Sequence, residues 1–204
     1  MDQPKHDEQR KIVQPIVSPA NLAGFEGLIR SRIQKTIDGL PRGETFDWVD
    51  RVSIELTGQM LASLFDFPFE DRRKLTYWSD VATTDLNNPE RLINSEEERE
   101  KVFGECLGYF MKLWNERVNS TTPGGDLISM LAHGEATRNM SAREYLGNVI
   151  LLIVGGNDTT RNSMSGGLWF MSQNPGEYAK LRANPGLVES AVSEIVRYQT
   201  PLSY

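Results

Sequence analysis

The feature that most constrains the fold is a long stretch without proline near the carboxyl end of the sequence. Ser141 and Glu144 have the spacing of a helix-capping box, and no proline follows until Pro175. The pattern predicts one helix of about 33 residues and roughly 50 Å. Its centre, residues 155–160, reads Gly-Gly-Asn-Asp-Thr-Thr, which favours helix poorly. A helix this long is unusual in a 204-residue chain, and the poorly helix-forming residues at its centre therefore need an explanation.

The rest of the sequence also predicts helices. Apolar residues recur at helical spacing, and the alternation typical of half-buried strands is almost absent. We therefore expect a mainly α fold in a single domain over residues 1–204, without repeats or linkers. The other predicted helices cover residues 18–37, 46–65, 69–84, 95–117, 126–132, 176–183 and 186–198.

Composition excludes several kinds of protein. The single cysteine, Cys106, rules out an intrachain disulfide framework and a multi-cysteine zinc site. A formal net charge of −6 argues against a nucleic-acid partner. The longest apolar run, residues 149–154, is too short to cross a bilayer, so no transmembrane segment is predicted. The polar amino terminus lacks the apolar region of a secretory signal, and a cytoplasmic location is expected.

The two central glycines admit two interpretations. Gly155 and Gly156 leave one helix face without side chains, so that a flat ligand can approach the backbone. A threonine hydroxyl that bonds back along the helix would distort it and open a groove. Asp158 and Thr159 would then form an acid and alcohol pair able to relay protons. The alternative is close helix packing at the glycines beside a solvated polar edge.

Two further pairs have helical spacing. His6 and Arg10 lie one turn apart, a spacing suited to holding an anionic group, although ordinary solvated side chains would give the same pattern. Glu194 and Arg197 are three residues apart and can form an ion pair, which at a surface contributes little stability.

Together these motifs resemble a bacterial cytochrome P-450 over essentially the whole chain. The resemblance is carried by residues 2–10, by the long helix and by the Glu-Ile-Val-Arg sequence at 194–197. Residues 65–73 and 155–167 further resemble the soluble alkane and fatty-acid terminal hydroxylase branch; Gln3, where the family usually has proline, is a minor departure. The implied fold is a partial cytochrome P450 fold, from the C-helix region through the K helix with a long central I helix.

The resemblance implies roles for the cofactor-side residues. His6 and Arg10 match positions that hold the propionates of haem b. Gly155 and Gly156 match the helix face that lies against the haem. Asp158 and Thr159 match the acid and alcohol that supply protons while dioxygen is activated.

Other positions match substrate-lining and structural residues of the family. Leu151, Val154 and Leu202 match the substrate side of the pocket. Glu194 and Arg197 match a buried structural ion pair, which is costly to break because removing one partner strands the other charge.

One departure concerns the iron ligand. Family members bind the iron through a cysteine in a loop beyond the Glu-x-x-Arg helix, and the sequence ends at Tyr204 before such a loop. Cys106 is expected to be a buried inert thiol, so this chain supplies no metal ligand. We therefore expect an internal piece of a longer gene product, inactive alone.

The implied activity is that of a haem-thiolate monooxygenase. It would hydroxylate the terminal carbon of medium-chain alkanes or fatty acids, using O2 and electrons from a ferredoxin and its reductase. Sterols or terpenes are the alternative substrates, and a helical binding module without redox chemistry is the alternative function. A nucleotide site at Gly155 is disfavoured, because no phosphate-loop sequence or strand precedes it.

Overall fold

The computed structural model describes residues 2–122 and 124–201. Within those ranges the chain is helical and contains no strand, which confirms the predicted fold class. The α-helices are α1 (Lys5–Val13), α2 (Pro19–Asp38), α3 (Glu55–Phe65), α4 (Arg72–Thr83), α5 (Glu96–Val118), α6 (Leu127–His133), α7 (Ala142–Gln173), α8 (Pro175–Ala183) and α9 (Val188–Gln199).

Side-chain caps fix the helix starts that the sequence indicates. At α7, the Glu144 amide donates to Ser141 Oγ over 3.3 Å, and the Ser141 amide donates to the Glu144 carboxylate over 3.0 Å. Ser18 caps α2, with Pro19 as the first helical residue. These bonds satisfy amide groups that have no partner inside the helix. The long helix is confirmed, with 32 residues instead of about 33.

The segment predicted as one helix over residues 46–65 is wrong in detail. Asp47 Oδ1 accepts the Asp50 amide over 3.1 Å, and a π-helix over Val49–Ile54 precedes α3. Hydrophobic periodicity marks the buried face in both helix types, so it does not separate the π-helix from the α-helix. A short 3-10 turn, Phe69–Asp71, likewise precedes α4.

The core lies between α3, α4, α5, α6 and the first half of α7. Its centre is an aromatic group in which Phe65, Phe67 and Trp78 surround Phe110, with ring centroids 5.5 to 5.8 Å from that ring. On α7, Tyr145, Val149 and Ile153 are buried in the same cluster, four residues apart. The first half of α7 is thus fixed on one side by apolar packing, while its opposite side faces outward.

The other helices are less buried. α2, α8 and α9 contribute no buried residue to the described structure. No described helix is long and apolar enough to cross a membrane. Cys106 is fully buried in α5, and burial raises the pKa of its thiol to about 12, so it is protonated at neutral pH.

Candidate functional site

The two central glycines of α7 face different surroundings. A Cβ placed on Gly155 would meet no atom within 4 Å, so this glycine borders open space. A Cβ on Gly156 would lie 2.8 Å from Leu61 Cδ2 on α3. The close-packing interpretation therefore holds at Gly156, because a step of one residue turns about 100° around a helix and brings this position toward α3. Its place on the side that faces the haem stays a prediction. Gly155 alone keeps the open position.

α7 runs through this region without a break, contrary to the predicted distortion. Thr159 Oγ1 donates to the Gly155 carbonyl over 3.1 Å, so the predicted back-bond is present. The Ser163 hydroxyl donates to the Thr159 carbonyl over 2.7 Å in the same way. These carbonyls accept a hydroxyl while the helix keeps its α form.

The carboxylate of Asp158 points toward α4 and is held there. Its Oδ1 accepts the Asn157 amide over 2.7 Å, the Ser79 hydroxyl over 3.0 Å and the Arg161 guanidinium over 3.1 Å. The same Arg161 nitrogen lies 2.8 Å from Asp80 Oδ1 on α4. Three donors on one oxygen fix the orientation of this carboxylate.

Asn157 connects this carboxylate to α3. It is fully buried, and its Oδ1 accepts the Thr57 hydroxyl over 3.2 Å while its Nδ2 donates to Asp158. Sequence reasoning missed Asn157, Ser79 and Asp80. Arg161 follows Asp158 by three residues, and at that helical spacing alone could a contact with Asp158 have been predicted from sequence.

Asp158 and Thr159 point to different sides of α7. No hydrogen bond joins them in the part of the chain that the structure describes. Thr159 instead borders a cleft of about 360 Å³ between α7 and α9. The lining residues are mainly apolar: Thr159, Thr160, Ser163, Met164, Val192, Ile195, Val196 and Pro201.

Two predicted substrate-side residues lie on the outward face of α7. Leu151 is 65% exposed and Val154 is partly exposed, one turn before Gly155 and Asp158 respectively. Such exposure of a large apolar side chain is available for contact with a ligand. Leu202, the third predicted residue, lies outside the described residues.

α1 carries the predicted anion-holding pair and packs beside the first half of α7. The Asn148 amide donates to Gln9 over 3.1 Å, and Lys5 pairs with Glu144.

The two members of the predicted anion-holding pair differ in their surroundings. His6 Nδ1 lies 2.9 Å from Asp7 Oδ1, and Arg10 is exposed. The structure leaves the Arg10 guanidinium accessible, whereas the His6 ring already has one neighbour.

Glu194 and Arg197 form the predicted ion pair but not the predicted burial. Two bonds of 2.6 and 2.7 Å join the guanidinium to the carboxylate. The side chains are 59% and 69% exposed respectively, because no described element covers this face of α9. The expectation of a buried pair is therefore wrong for this structure, and in water the pair contributes little stability.

Curated proteins resemble this chain in sequence along almost its whole length. No protein-family model matches the chain. Linalool 8-monooxygenase of Pseudomonas putida is 34% identical over 99% of the chain and 49% of its own length. Steroid C26-monooxygenase of Mycolicibacterium smegmatis is 33% identical over the whole chain and 46% of its own length.

Solved structures show a similar likeness. Cytochrome P450-153 from Novosphingobium aromaticivorans is 45% identical, with a TM-score of 0.85 over 97% of this chain and 47% of its own. CYP153D17 from Sphingomonas sp. PAMC 26605 is 48% identical, with a TM-score of 0.86 over 97% and 49%. Both are cytochromes P-450, and this chain is similar to them in sequence and in fold. It spans about half the length of the family members it matches.

Within that P-450 fold, the α7 centre joins a held carboxylate to an open helix face. Asp158 is fixed from α4 and by Asn157, while Gly155 and Thr159 border open space and an apolar cleft. This arrangement places a hydroxyl beside apolar surface and a carboxylate one residue away.

Proposed function

We propose that the protein containing this P-450 chain is a haem-thiolate monooxygenase that hydroxylates a C–H bond of an apolar substrate. The single observation that carries the proposal is the centre of α7. There a carboxylate held at one oxygen adjoins a hydroxyl that borders an open, apolar side of the helix.

The residues present fit a haem. A flat apolar group needs a helix face free of side chains, and Gly155 has open space where a Cβ would stand. The cleft beside Thr159 offers mainly apolar lining. Arg10 and His6 on α1 would hold the two propionates, since a guanidinium suits carboxylates. When bound, a haem with a cysteine thiolate ligand supplies the activation of dioxygen for insertion of one oxygen atom into a C–H bond.

Asp158 and Thr159 would move protons in this reaction. The three described donors to Asp158 all bond Oδ1, so Oδ2 is the oxygen placed to take up and release a proton. The Thr159 hydroxyl donates its hydrogen bond to the Gly155 carbonyl. Its oxygen lone pairs are therefore free to accept a hydrogen bond from a donor on the open side of the helix. A water molecule would have to link Asp158 to Thr159, because the two side chains point apart.

The thiolate ligand of the haem would not come from Cys106. That side chain is fully buried in the α5 core, and its raised pKa keeps it protonated. Residues of this chain would therefore hold the haem face and supply protons, without providing the thiolate ligand. Electrons would come from a ferredoxin and its reductase.

For the substrate we propose the terminal carbon of medium-chain alkanes or fatty acids. Leu151 and Val154 would contact the aliphatic chain. The similarity to two type-153 structures, at 45% and 48% identity, supports this choice. Terpenes or sterols are the second candidate, favoured by the linalool and steroid monooxygenases at 34% and 33% identity.

Replacing Thr159 tests the proton-transfer role. In a family-length protein that contains this chain, we expect Thr159→Ala to release hydrogen peroxide and to lower product per NAD(P)H consumed by about 10-fold or more, within the range for one general acid-base group. Ser172→Ala is the matched control, because its hydroxyl also bonds back within α7, to Trp169, but is exposed. Unchanged coupling in Thr159→Ala would contradict the role of Thr159.

Two measurements test the other parts of the proposal. Binding of haem with the absorption of a thiolate ligand is expected for the family-length protein; absence of haem binding would favour the binding-module alternative. Product analysis with alkanes, fatty acids, linalool and steroids then separates the substrates. Hydroxylation of linalool or steroids alone would overturn the aliphatic assignment and leave the enzyme class intact.

A further inference from the structure

A second cleft, of about 480 Å³, lies between α2, the π-helix, α3 and the start of α4. No residue of α7 lines it, so it is separate from the Gly155 face. Its lining contains five cationic side chains and one carboxylate, in a chain whose net charge is −6. The charged lining residues are Arg32, Lys35, Arg51, Arg72, Arg73 and Glu55.

The carboxylates near this cleft are already used by two of the cations. Glu55 lies 2.8 Å from Arg72 and 3.6 Å from Arg73. Arg73 also pairs with Asp50 over 2.5 Å. Within the described residues, the three remaining cations have no carboxylate within ion-pair distance: Arg32, Lys35 and Arg51. The cleft therefore carries uncompensated positive charge.

Arg32 is held in place without a counter-charge. One of its nitrogens donates to the Gln59 carbonyl and to Ser63 Oγ, each over 2.5 Å. Arg32 and Arg72 approach the same Phe69 ring, with guanidinium carbons 5.4 and 4.3 Å from its centroid. Burial and the neighbouring Arg72 lower the pKa of Arg32. The two guanidinium groups beside this ring repel each other, and an anion bound between them would offset that repulsion.

We propose that this cleft binds the diphosphate group of a small ligand. Guanidinium groups bond phosphate oxygens in pairs, and Lys35 adds a mobile point charge at the rim. The volume exceeds that of a diphosphate. Phe69, which lines the cleft, is 41% exposed and offers apolar surface to an attached organic group. The site does not depend on the proposed monooxygenase function.

The test is calorimetric titration of the purified protein with inorganic pyrophosphate at about 0.15 M ionic strength, where distant charges are screened. We expect Arg32→Ala to weaken binding by about 10-fold, the effect of one charge-assisted hydrogen bond. Because Arg32 also joins α2 to α3, a second variant is needed. Lys35→Glu reverses a charge whose side chain makes no hydrogen bond in the described structure, and it should abolish binding.

Arg30→Ala is the matched control. It removes the same charge from the same helix, but Arg30 is paired with Glu26 and does not line the cleft. Binding that survives in Arg30→Ala and fails in Lys35→Glu supports the site. Absence of pyrophosphate binding, or equal weakening by Arg30→Ala, would overturn it.

Further titrations identify the source of the phosphate. ADP binding at least as tight as that of pyrophosphate would assign a nucleoside diphosphate, and tighter pyrophosphate binding would assign the free anion; both support the proposal. Binding to vesicles containing phosphatidic acid, without binding of either soluble compound, would overturn it in favour of a lipid surface.

Discussion

The orientation of Asp158 depends on residues that are distant in sequence. Ser79 lies on α4 and Thr57 on α3, and both reach α7 only because the apolar core packs these three helices together. Local spacing predicts that Asp158 and Arg161 meet, but it carries no information on contacts made across 79 or 100 positions. The acid was therefore predictable from sequence, and the side chains that hold it were not.

Asn157 provides a test at this scale. Replacing it by leucine removes both amide hydrogen bonds at a fully buried position. Thr57 keeps its shorter bond to the Ser53 carbonyl, and Asp158 keeps its two other donors. We expect Asn157→Leu to lower the free energy of unfolding by about 1–3 kcal/mol. Denaturant titration measures it, with Asn162→Leu as control, because Asn162 is exposed on the same helix. Equal effects of the two variants would contradict the structural role of Asn157.

At the scale of the element, α7 shows what pattern can and cannot predict. Its capping box and its end before Pro175 are local signals, and both are confirmed. From the sequence, the glycine pair could serve either ligand approach or helix packing. In the structure, the two glycines have different surroundings. Gly156 meets Leu61 while Gly155 faces open space, a difference set by the position of α3 around α7.

Three alanine substitutions on α7 test this division. Gly147 and Gly155 both have open space at the Cβ position, so Gly147→Ala and Gly155→Ala should each raise the free energy of unfolding by about 0.5–1 kcal/mol. Gly156→Ala forces buried Leu61 to move and should be less stable than Gly155→Ala by about 1–3 kcal/mol. Equal stability of Gly155→Ala and Gly156→Ala in chemical denaturation would show that both glycines are open.

The start of α7 should give stability a dependence on acid pH. Lys5 and the Ser141 cap lower the pKa of Glu144 from 4.5 to about 2. A lowered pKa means that the stabilisation is present above about pH 4.5 and is lost as the pH falls toward 2. Glu144→Gln should lower stability at neutral pH and flatten its decline over that range. Glu97→Gln, in the exposed first turn of α5, should leave the profile unchanged.

At the scale of the whole molecule, burial is uneven, and composition gave no sign of it. The core gathers α3 to α6 with the first half of α7, whereas α9 buries no residue in the described structure. The same unevenness explains why Glu194 and Arg197 pair correctly yet remain in water. Motifs identify which residues pair along a helix, but they do not indicate whether another element covers that helix.

The exposed face of α9 predicts how the 204-residue chain behaves in solution. Val188, Val192 and Val196 lie four residues apart and are 45% to 55% exposed, an apolar row that favours dye binding and self-association. We expect the double variant Val192→Lys, Val196→Lys to reduce binding of an apolar fluorescent dye and to shift sedimentation toward monomer. Its unfolding free energy should change little, because these side chains are already half in water. Val118→Lys, at a 46% exposed valine at the end of α5, is the matched control. If both proteins bind the dye equally, α9 is not the surface that drives association.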